Sequence, residues 1–279
     1  MANRSAIRMP LVCRASAAVV VLCLALAQHA LASPQFKLVW ESGFEQGFPG
    51  EWLSYDSGSR STDGTMPQTR VSAWTIVSKA SGEPIFSGNY AYRGWIVGPA
   101  NASHRAYPVI HANDPHNIPD SITTPLVNSF MVWLDSDWAS MGPTEWIQLA
   151  TWSNNTDWLV HTMVVKDRKL CFAHTDPFTG EYIGPLPRPD FPLHRWVRMT
   201  AYIAYNGPTG FVQVWQDGIP MLRARVVKGT GTALVRAHWG LYAHPAVSSA
   251  VMYNDDIRIW TLSAPPTDFL VEPLPNQSP

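Results

Sequence analysis

Cysteine is scarce in this sequence: of the three present, Cys13 and Cys23 lie within the first 32 residues, which leaves Cys171 alone in the rest of the chain. An intrachain disulfide framework is therefore excluded for the part after residue 32, and stability has to come from a core. Charge is scarce too, with Asp, Glu, Lys and Arg making up 15% of residues against a usual share of about 25%. No basic excess exists, since the formal net charge is −1, so the electrostatic footprint of a generic nucleic-acid binder is missing. A hydrophobic share of 46% rules out a disordered chain. After residue 32 there is no second long apolar run, no internal repeat and no amphipathic helical period.

What is present begins with a leader. Arg4, Arg8 and Arg14 precede an apolar run over 15–27, and Ala30-Leu31-Ala32 closes the segment before Ser33-Pro34. The run is shorter than the roughly 20 residues that span a bilayer, and an A-x-A ending suits signal peptidase. Residues 1–32 are read as a signal peptide cleaved after Ala32, giving a secreted or periplasmic protein, mildly acidic once the three arginines are gone. No membrane contact is expected after cleavage, and the protein is expected to be a monomer.

From Ser33 onward the chain reads as short stretches of period-two alternation broken by Gly, Pro, Asn and Asp. The clearest are 36–41, 71–78, 89–97, 105–111, 127–135, 145–152, 158–166, 169–174, 195–205, 210–216, 219–227, 236–243 and 251–262. Their number and spacing predict an all-β sandwich or jelly roll of two antiparallel sheets, as one domain over 33–263. Asp217-Gly218 and Asp167-Arg168 each sit where a two-residue turn would close a hairpin. Residues 177–192 are expected to be a long proline-rich surface loop. Residues 264–279 are expected to be a proline-rich tail lying loosely on the fold.

Alternation also assigns faces. Arg105, Tyr107, Val109 and His111 share one, as do Arg93 with Trp95, Trp146 with Gln148 and Trp152, and His238 with Gly240, Tyr242 and His244. Such faces suit sugars: aromatic rings stack on pyranose C–H faces, while Arg, Gln and His bond hydroxyls and carboxylates. The plainer role of any single Trp among the 13 is packing, because large aromatics are mostly buried. Retaining glycosidases on related sandwiches need two carboxylates on one strand face, in an E-x-D-x-x-E type of run. No such run occurs; Asp135, Asp137 and Glu145 are the nearest approaches.

β-Elimination of uronic-acid polymers needs other groups: a cation or amide to neutralise the C5 carboxylate, a base for the C5 proton, and an acid for the leaving oxygen. Arg105 and Gln148 are candidate neutralisers, and Tyr107, His111, His161, His238 and Tyr242 candidate acids or bases. Arg93, Trp95, Trp146, Trp152 and Arg198 are candidate substrate contacts. The segments 41–47 and 253–257 place Glu45, Asp255 and Asp256 on terminal strands that often pair, and hard oxygens of this kind suit a structural Ca²⁺. No organic cofactor is implied.

The order Gly88-Asn89-Tyr90-Ala91-Tyr92-Arg93, His104-Arg105-Ala106-Tyr107, Trp146-Ile147-Gln148-Leu149-Ala150-Thr151-Trp152, Val214-Trp215-Gln216-Asp217-Gly218, Gly240-Leu241-Tyr242 and Asn254-Asp255-Asp256-Ile257-Arg258-Ile259-Trp260 resembles secreted polysaccharide lyases of the heparin lyase I and glucuronan lyase type. That resemblance implies a concanavalin A-like β-jelly roll whose concave groove is lined by Arg105, Gln148 and Tyr242. The sequence departs from the pattern twice. Ala106-Tyr107-Pro108 follows Arg105 without the acidic residue common there, and Arg236 and His238 stand where alginate-lyase-like members carry Tyr and Lys. The expected function is polysaccharide β-elimination; the alternative is a non-catalytic, lectin-like carbohydrate-binding protein.

Overall fold

The computed structural model describes residues 34–47, 52, 54–55, 71–112, 118, 120–154, 161–173, 180–205, 209–226 and 231–275. The expected signal peptide lies outside them. In chain order the strands are β1 (Phe36–Ser42), β2 (Ser54–Tyr55), β3 (Ser72–Ser78), β4 (Tyr90–Ile96), β5 (His104–Ala106), β6 (Pro108–His111), β7 (Ile122–Thr123), β8 (Leu126–Ser136) and β9 (Trp146–Ser153). They continue with β10 (His161–Lys166), β11 (Lys169–Ala173), β12 (Gly180–Tyr182), β13 (Trp196–Ala204), β14 (Phe211–Gln216), β15 (Ile219–Arg225), β16 (Ala233–Leu234), β17 (Arg236–Ala243) and β18 (Ala250–Leu262). A 3-10 turn spans Lys79–Ser81.

Two large antiparallel sheets result. One runs β12-β15-β14-β13-β8-β18-β4-β3, with β1 beside the C-terminal half of β18; the other runs β11-β10-β9-β17-β6-β2, with β5 beside the C-terminal half of β17. Sequence neighbours on opposite sheets and long returns between them make this a jelly roll. Both expected hairpins form. Asp217 and Gly218 have φ of 51° and 85°, and Asp167 and Arg168 have 47° and 63°, so each pair turns with the positive φ that matches the strand twist. The Asp217 carboxylate secures its turn by accepting from the Arg198 amide at 2.8 Å and the Arg195 guanidinium at 2.9 Å.

The core lies between the sheets and is built on aromatics. Trp40 stacks on Trp239 at 5.5 Å, Trp52 meets both edge-on, and Phe44 stacks on Trp52 at 5.3 Å. A polar residue, Asn128, crosses this core. Asn128 on β8 is wholly buried, and its Oδ1 accepts the indole N–H of Trp152 at 2.9 Å and of Trp239 at 3.1 Å, both from the opposite sheet. Its Nδ2 donates to the Arg258 carbonyl at 2.9 Å.

Two expectations need correction. The proline-rich segment 177–192 contains a short strand, β12, paired to β15, because Gly180–Tyr182 lies in the proline-free stretch between Pro177 and Pro185 and can extend the sheet edge. Nor is the tail loose as far as residue 275. Phe269 packs edge-on against Tyr202 and Phe211, Leu274 joins the same apolar cluster, and Glu272 binds Arg198 and Thr200. The prolines stop this segment from adding a strand, so it crosses the outer face of the nine-stranded sheet as a strap.

Candidate functional site

The outer face of the seven-stranded sheet gathers most of the chemistry. On β17, Ala237, Leu241 and Ala243 point into the core, which turns His238 and Tyr242 outward; on β9, Ile147 points inward and Gln148 outward. Register then aligns them. Arg105 on β5 is the partner of Tyr242, and Tyr242 is the partner of Gln148, so the three form one row across β5, β17 and β9. The next row sets His238 opposite Thr151 and Thr151 opposite Thr162.

These rows are in contact. Tyr107 stacks on the His238 ring at 4.1 Å and meets Tyr242 edge-on at 5.5 Å, while Trp146 meets Tyr242 edge-on at 5.0 Å. The Arg105 guanidinium lies 5.9 Å from the centre of the Tyr242 ring. Gln148 Nε2 donates to Thr151 Oγ1 at 2.6 Å and to His238 Nε2 at 2.9 Å, and Thr151 Oγ1 is 3.1 Å from Thr162 Oγ1. With Nε2 accepting from the amide, the His238 proton belongs on Nδ1.

Backbone irregularity makes this arrangement. Opposite β10, Met163 pairs with Ala150 but Val164 pairs with Gln148, so Leu149 is an extra residue, a bulge in β9. Leu149 and Ala150 both face the core, and the alternation shifts by one. Gln148 and Thr151, three residues apart, thereby share the outer face. The same shift sends Trp152 inward to Asn128, so it is a core residue and not the sugar platform that strict alternation implied. On β17, Gly240 has φ of 104°, and a Cβ there would lie 3.0 Å from Tyr107 Cα. Tyr107, at the break between β5 and β6, can approach His238 only because that Cβ is missing. Gly240→Ala is expected to cost about 1–3 kcal/mol through strain and displacement of Tyr107; a urea midpoint equal to that of the parent would contradict this.

His238 is pushed down to about 3, first by burial and then by the nearby Arg105 charge. A ring that stays neutral and already accepts a hydrogen bond is a poor general base. Its place is to hold Gln148, which corrects its expected catalytic part. His161 faces the interior, its Nε2 3.1 Å from the Arg225 carbonyl of the other sheet, and burial lowers it to about 4. It is not on the site face because its register partner, Trp152, was turned inward by the bulge. His111 stays on the outer face, two residues along β6 from Val109, half-buried and opposite Arg236.

Acid stability follows from these two rings. The native fold keeps them neutral to about pH 4 or below, whereas the unfolded chain protonates them from pH 6.5 downward. Asp255 opposes this, since burial raises its carboxyl to about 6 from 3.8, and native protonation there adds stability as pH falls. His104 is lowered and Asp256 raised, both by burial, and these two act in opposite directions. Between pH 6 and 4 the unfolded chain holds about one proton more than the native one, so stability should fall by about 1.4 kcal/mol per pH unit. A Tm that is flat or rising between pH 6 and 4 would refute the assignment.

The remaining expected residues lie elsewhere. Arg93 and Trp95 are on β4 between core-facing Tyr92 and Ile96, which puts them on the outer face of the nine-stranded sheet, opposite the Arg105 row. Arg198 is on that same far face and is held by Glu272 at 2.6 Å. The supposed calcium ligands come near one another, but four of their six carboxylate oxygens are engaged. Glu45 Oε1 accepts the amides of Asn89 and Tyr90, Asp255 accepts those of Phe86, Ser87 and Asp256, and Asp256 pairs with Arg258 at 2.7 Å. Among the described residues no group of three or more His, Cys, Asp or Glu could hold a metal ion, so the donor set does not fit Ca²⁺. These carboxylates clasp loop 85–90 to the sheet. Cys171 is half-buried on β11 with its thiol raised by burial, as an inert strand residue would be.

No family model matches the chain, and no curated protein matches its sequence. Among solved structures, the cellulose induced protein Cip1 superposes with a TM-score of 0.50 at 9% identity, covering 79% of this chain and 96% of that one. The fold is a concanavalin A-like jelly roll. The catalytic domain of a glycoside hydrolase family 131 protein from Coprinopsis cinerea aligns at TM-score 0.45 and 11% identity, over 86% of this chain and 98% of that domain. The alginate lyase AlgAT5 of polysaccharide lyase family 7 aligns at 0.42 and 12%, over 62% of this chain and 79% of the enzyme. At these identities the likeness concerns the fold, and function has to be argued from the Arg105–Tyr242–Gln148 face.

Sequence reading named that trio, and His238 beside it, but not the two threonines beneath Gln148. Thr151 and Thr162 carried no signal, because only the bulge brings them beneath Gln148.

Proposed function

We propose that this jelly roll is an exported polysaccharide lyase that cleaves uronic-acid-containing chains by β-elimination on the outer face of its seven-stranded sheet. The observation that carries the reading is the single row of Arg105, Tyr242 and Gln148 across three neighbouring strands. Arg105, exposed at one end, would pair with the uronate carboxylate and lower the cost of forming negative charge at C5. Gln148 would bond the same carboxylate by releasing one of the two amide protons that Thr151 and His238 hold in the free protein. The Tyr242 oxygen would take the C5 proton; the C5–H electron pair would become the C4–C5 double bond as the C4–O bond breaks. The departing oxygen would regain a proton from the same phenol. Trp146, half-buried at the rim, would stack on a flanking sugar.

A binding-only reading rests on a specific observation of its own. Both amide protons of Gln148 are already donated within the protein, to Thr151 and His238. Incubation with glucuronan, alginate and heparin-like polymers separates the two readings. Lyase action would generate unsaturated ends absorbing in the near ultraviolet; retention on these polymers with no absorbance gain would make the protein a lectin-like binder. Export is part of the proposal and would be checked by N-terminal sequencing of the protein recovered outside the cytoplasm, with Ser33 as the expected first residue.

A further inference from the structure

We infer that the chain carries a second carbohydrate-binding surface, for neutral glycans, on the outer face of the nine-stranded sheet. The feature is a lateral row in register across four strands: Trp196 on β13, Trp133 on β8, Tyr253 on β18 and Arg93 on β4. At strand spacings of about 4.8 Å the row extends roughly 14 Å, the length of a short oligosaccharide. Its apolar make-up is aromatic: Trp133 meets Tyr253 edge-on at 5.1 Å, Phe86 meets Trp196 edge-on at 5.9 Å, and the Arg93 guanidinium lies 4.9 Å over Trp95, with Tyr253 and Trp95 buried and the two row tryptophans left to meet a ligand. Trp133 and Trp196 are both partly exposed. The described part of the C-terminal strap covers the other half of this sheet face, around Tyr202, Phe211 and Trp215.

Charge selects the occupant. The cationic group in the row has an acidic neighbour, Arg93 lying 3.9 Å from Glu83, and beside the row the His194 ring lies 3.4 Å from Asp135 and edge-on to Trp133. Tyr253 also donates its hydroxyl to Glu83. A balanced set of donors and acceptors around aromatic rings matches the hydroxyls and C–H faces of an uncharged sugar chain. A polyanion would find the Arg93 charge already spent. This surface is independent of the elimination site, which occupies the opposite face of the sandwich.

Affinity electrophoresis through gels containing hydroxyethylcellulose or galactomannan tests the inference on the full chain. At least one of these neutral polymers should retard the protein, and Trp133→Ala with Trp196→Ala should weaken that binding about tenfold, the equivalent of about 1.4 kcal/mol from two stacking rings. The same variant should keep its Tm within a few degrees and its action on uronate polymers. Should the double variant not fold, Trp196→Ser alone should weaken retardation severalfold. Tyr242→Phe should leave retardation unchanged, so loss of elimination and loss of this binding are read separately. Absence of retardation by every neutral polymer would overturn the inference. So would retardation indifferent to both tryptophans, or light scattering that shows a dimer converted to monomer by the Trp substitutions, which would assign the row to a second copy of the chain.

Discussion

Asn128→Leu is expected to remove about 3 kcal/mol or more of stability, although leucine fills nearly the same space and asparagine is polar. The reason is directional. Asn128 Oδ1 is the acceptor for two indole N–H groups that come from the opposite sheet, Trp152 and Trp239, and neither indole sits where water could replace it, since both rings are fully buried. Each orphaned buried donor costs about 1–3 kcal/mol, and the Nδ2 bond to the Arg258 carbonyl is lost as well. Against a typical net stability of about 5–15 kcal/mol this is a large share. A double-mutant cycle isolates the cause: with Trp152→Phe and Trp239→Phe already in place, Asn128→Leu should cost only about 1 kcal/mol, leaving a coupling of about 2. Urea unfolding that places Asn128→Leu within about 1 kcal/mol of the parent would show that the indoles find other acceptors.

That residue also marks how far the sequence could be read. Thirteen alternating runs were legible because period-two patterning reports burial on one face; each holds a strand, except that 105–111 breaks at Tyr107 into β5 and β6, and residues 158–160, 174 and 227 of those runs lie outside the described residues. β2, β7 and β16 were not, because two-residue strands leave no period to detect. The bulge at Leu149 was equally silent. Leu149 and Ala150 are both apolar, and an extra apolar residue in an apolar strand does not change the composition, yet it decided that Gln148 and Thr151 face out and Trp152 faces in. Asn128 reads as a polar interruption of β8; that it serves two tryptophans from distant strands is a fact of sheet stacking.

The candidate site was legible for a different reason. Arg105, Gln148 and Tyr242 were named from short motifs on three separated strands, and register then placed them side by side. Motifs name the candidate residues, whereas strand order and the β9 bulge fix which of them face outward and meet. Arg93 and Trp95 fell on the wrong side of that distinction. They sit on a strand with the same polar and aromatic signature, but β4 belongs to the other sheet. Glu45 and Asp255 did converge as expected, and the amides of loop 85–90 filled the coordination that an ion would have needed. A loop amide and a cation are alternative partners for a carboxylate, and sequence spacing does not distinguish them.

The phenol of Tyr242 carries the largest expected effect on activity. Tyr242→Phe should lower kcat on a uronate polymer by at least about 100-fold, the lower end of what a positioned proton-transfer group contributes, while KM changes by no more than about threefold. The substitution is selective because the side-chain contacts of Tyr242 involve its ring: Tyr107, Trp146 and His238 meet it edge-on, and Arg105 lies over it. Phenylalanine keeps all four, so Tm should stay within about 2 °C, and substrate retention should persist through Arg105 and Trp146. Arg105→Ala should differ in kind, raising KM as well as lowering kcat, because the guanidinium would bind the carboxylate in the ground state before stabilising charge at C5. His238→Gln should reduce kcat less than Tyr242→Phe, since its ring holds Gln148 and touches no reacting atom. If Tyr242→Phe kept more than about a tenth of the parental kcat, proton transfer would have to pass to Tyr107, the other phenol beside His238, and the row would bind the substrate without carrying the elimination.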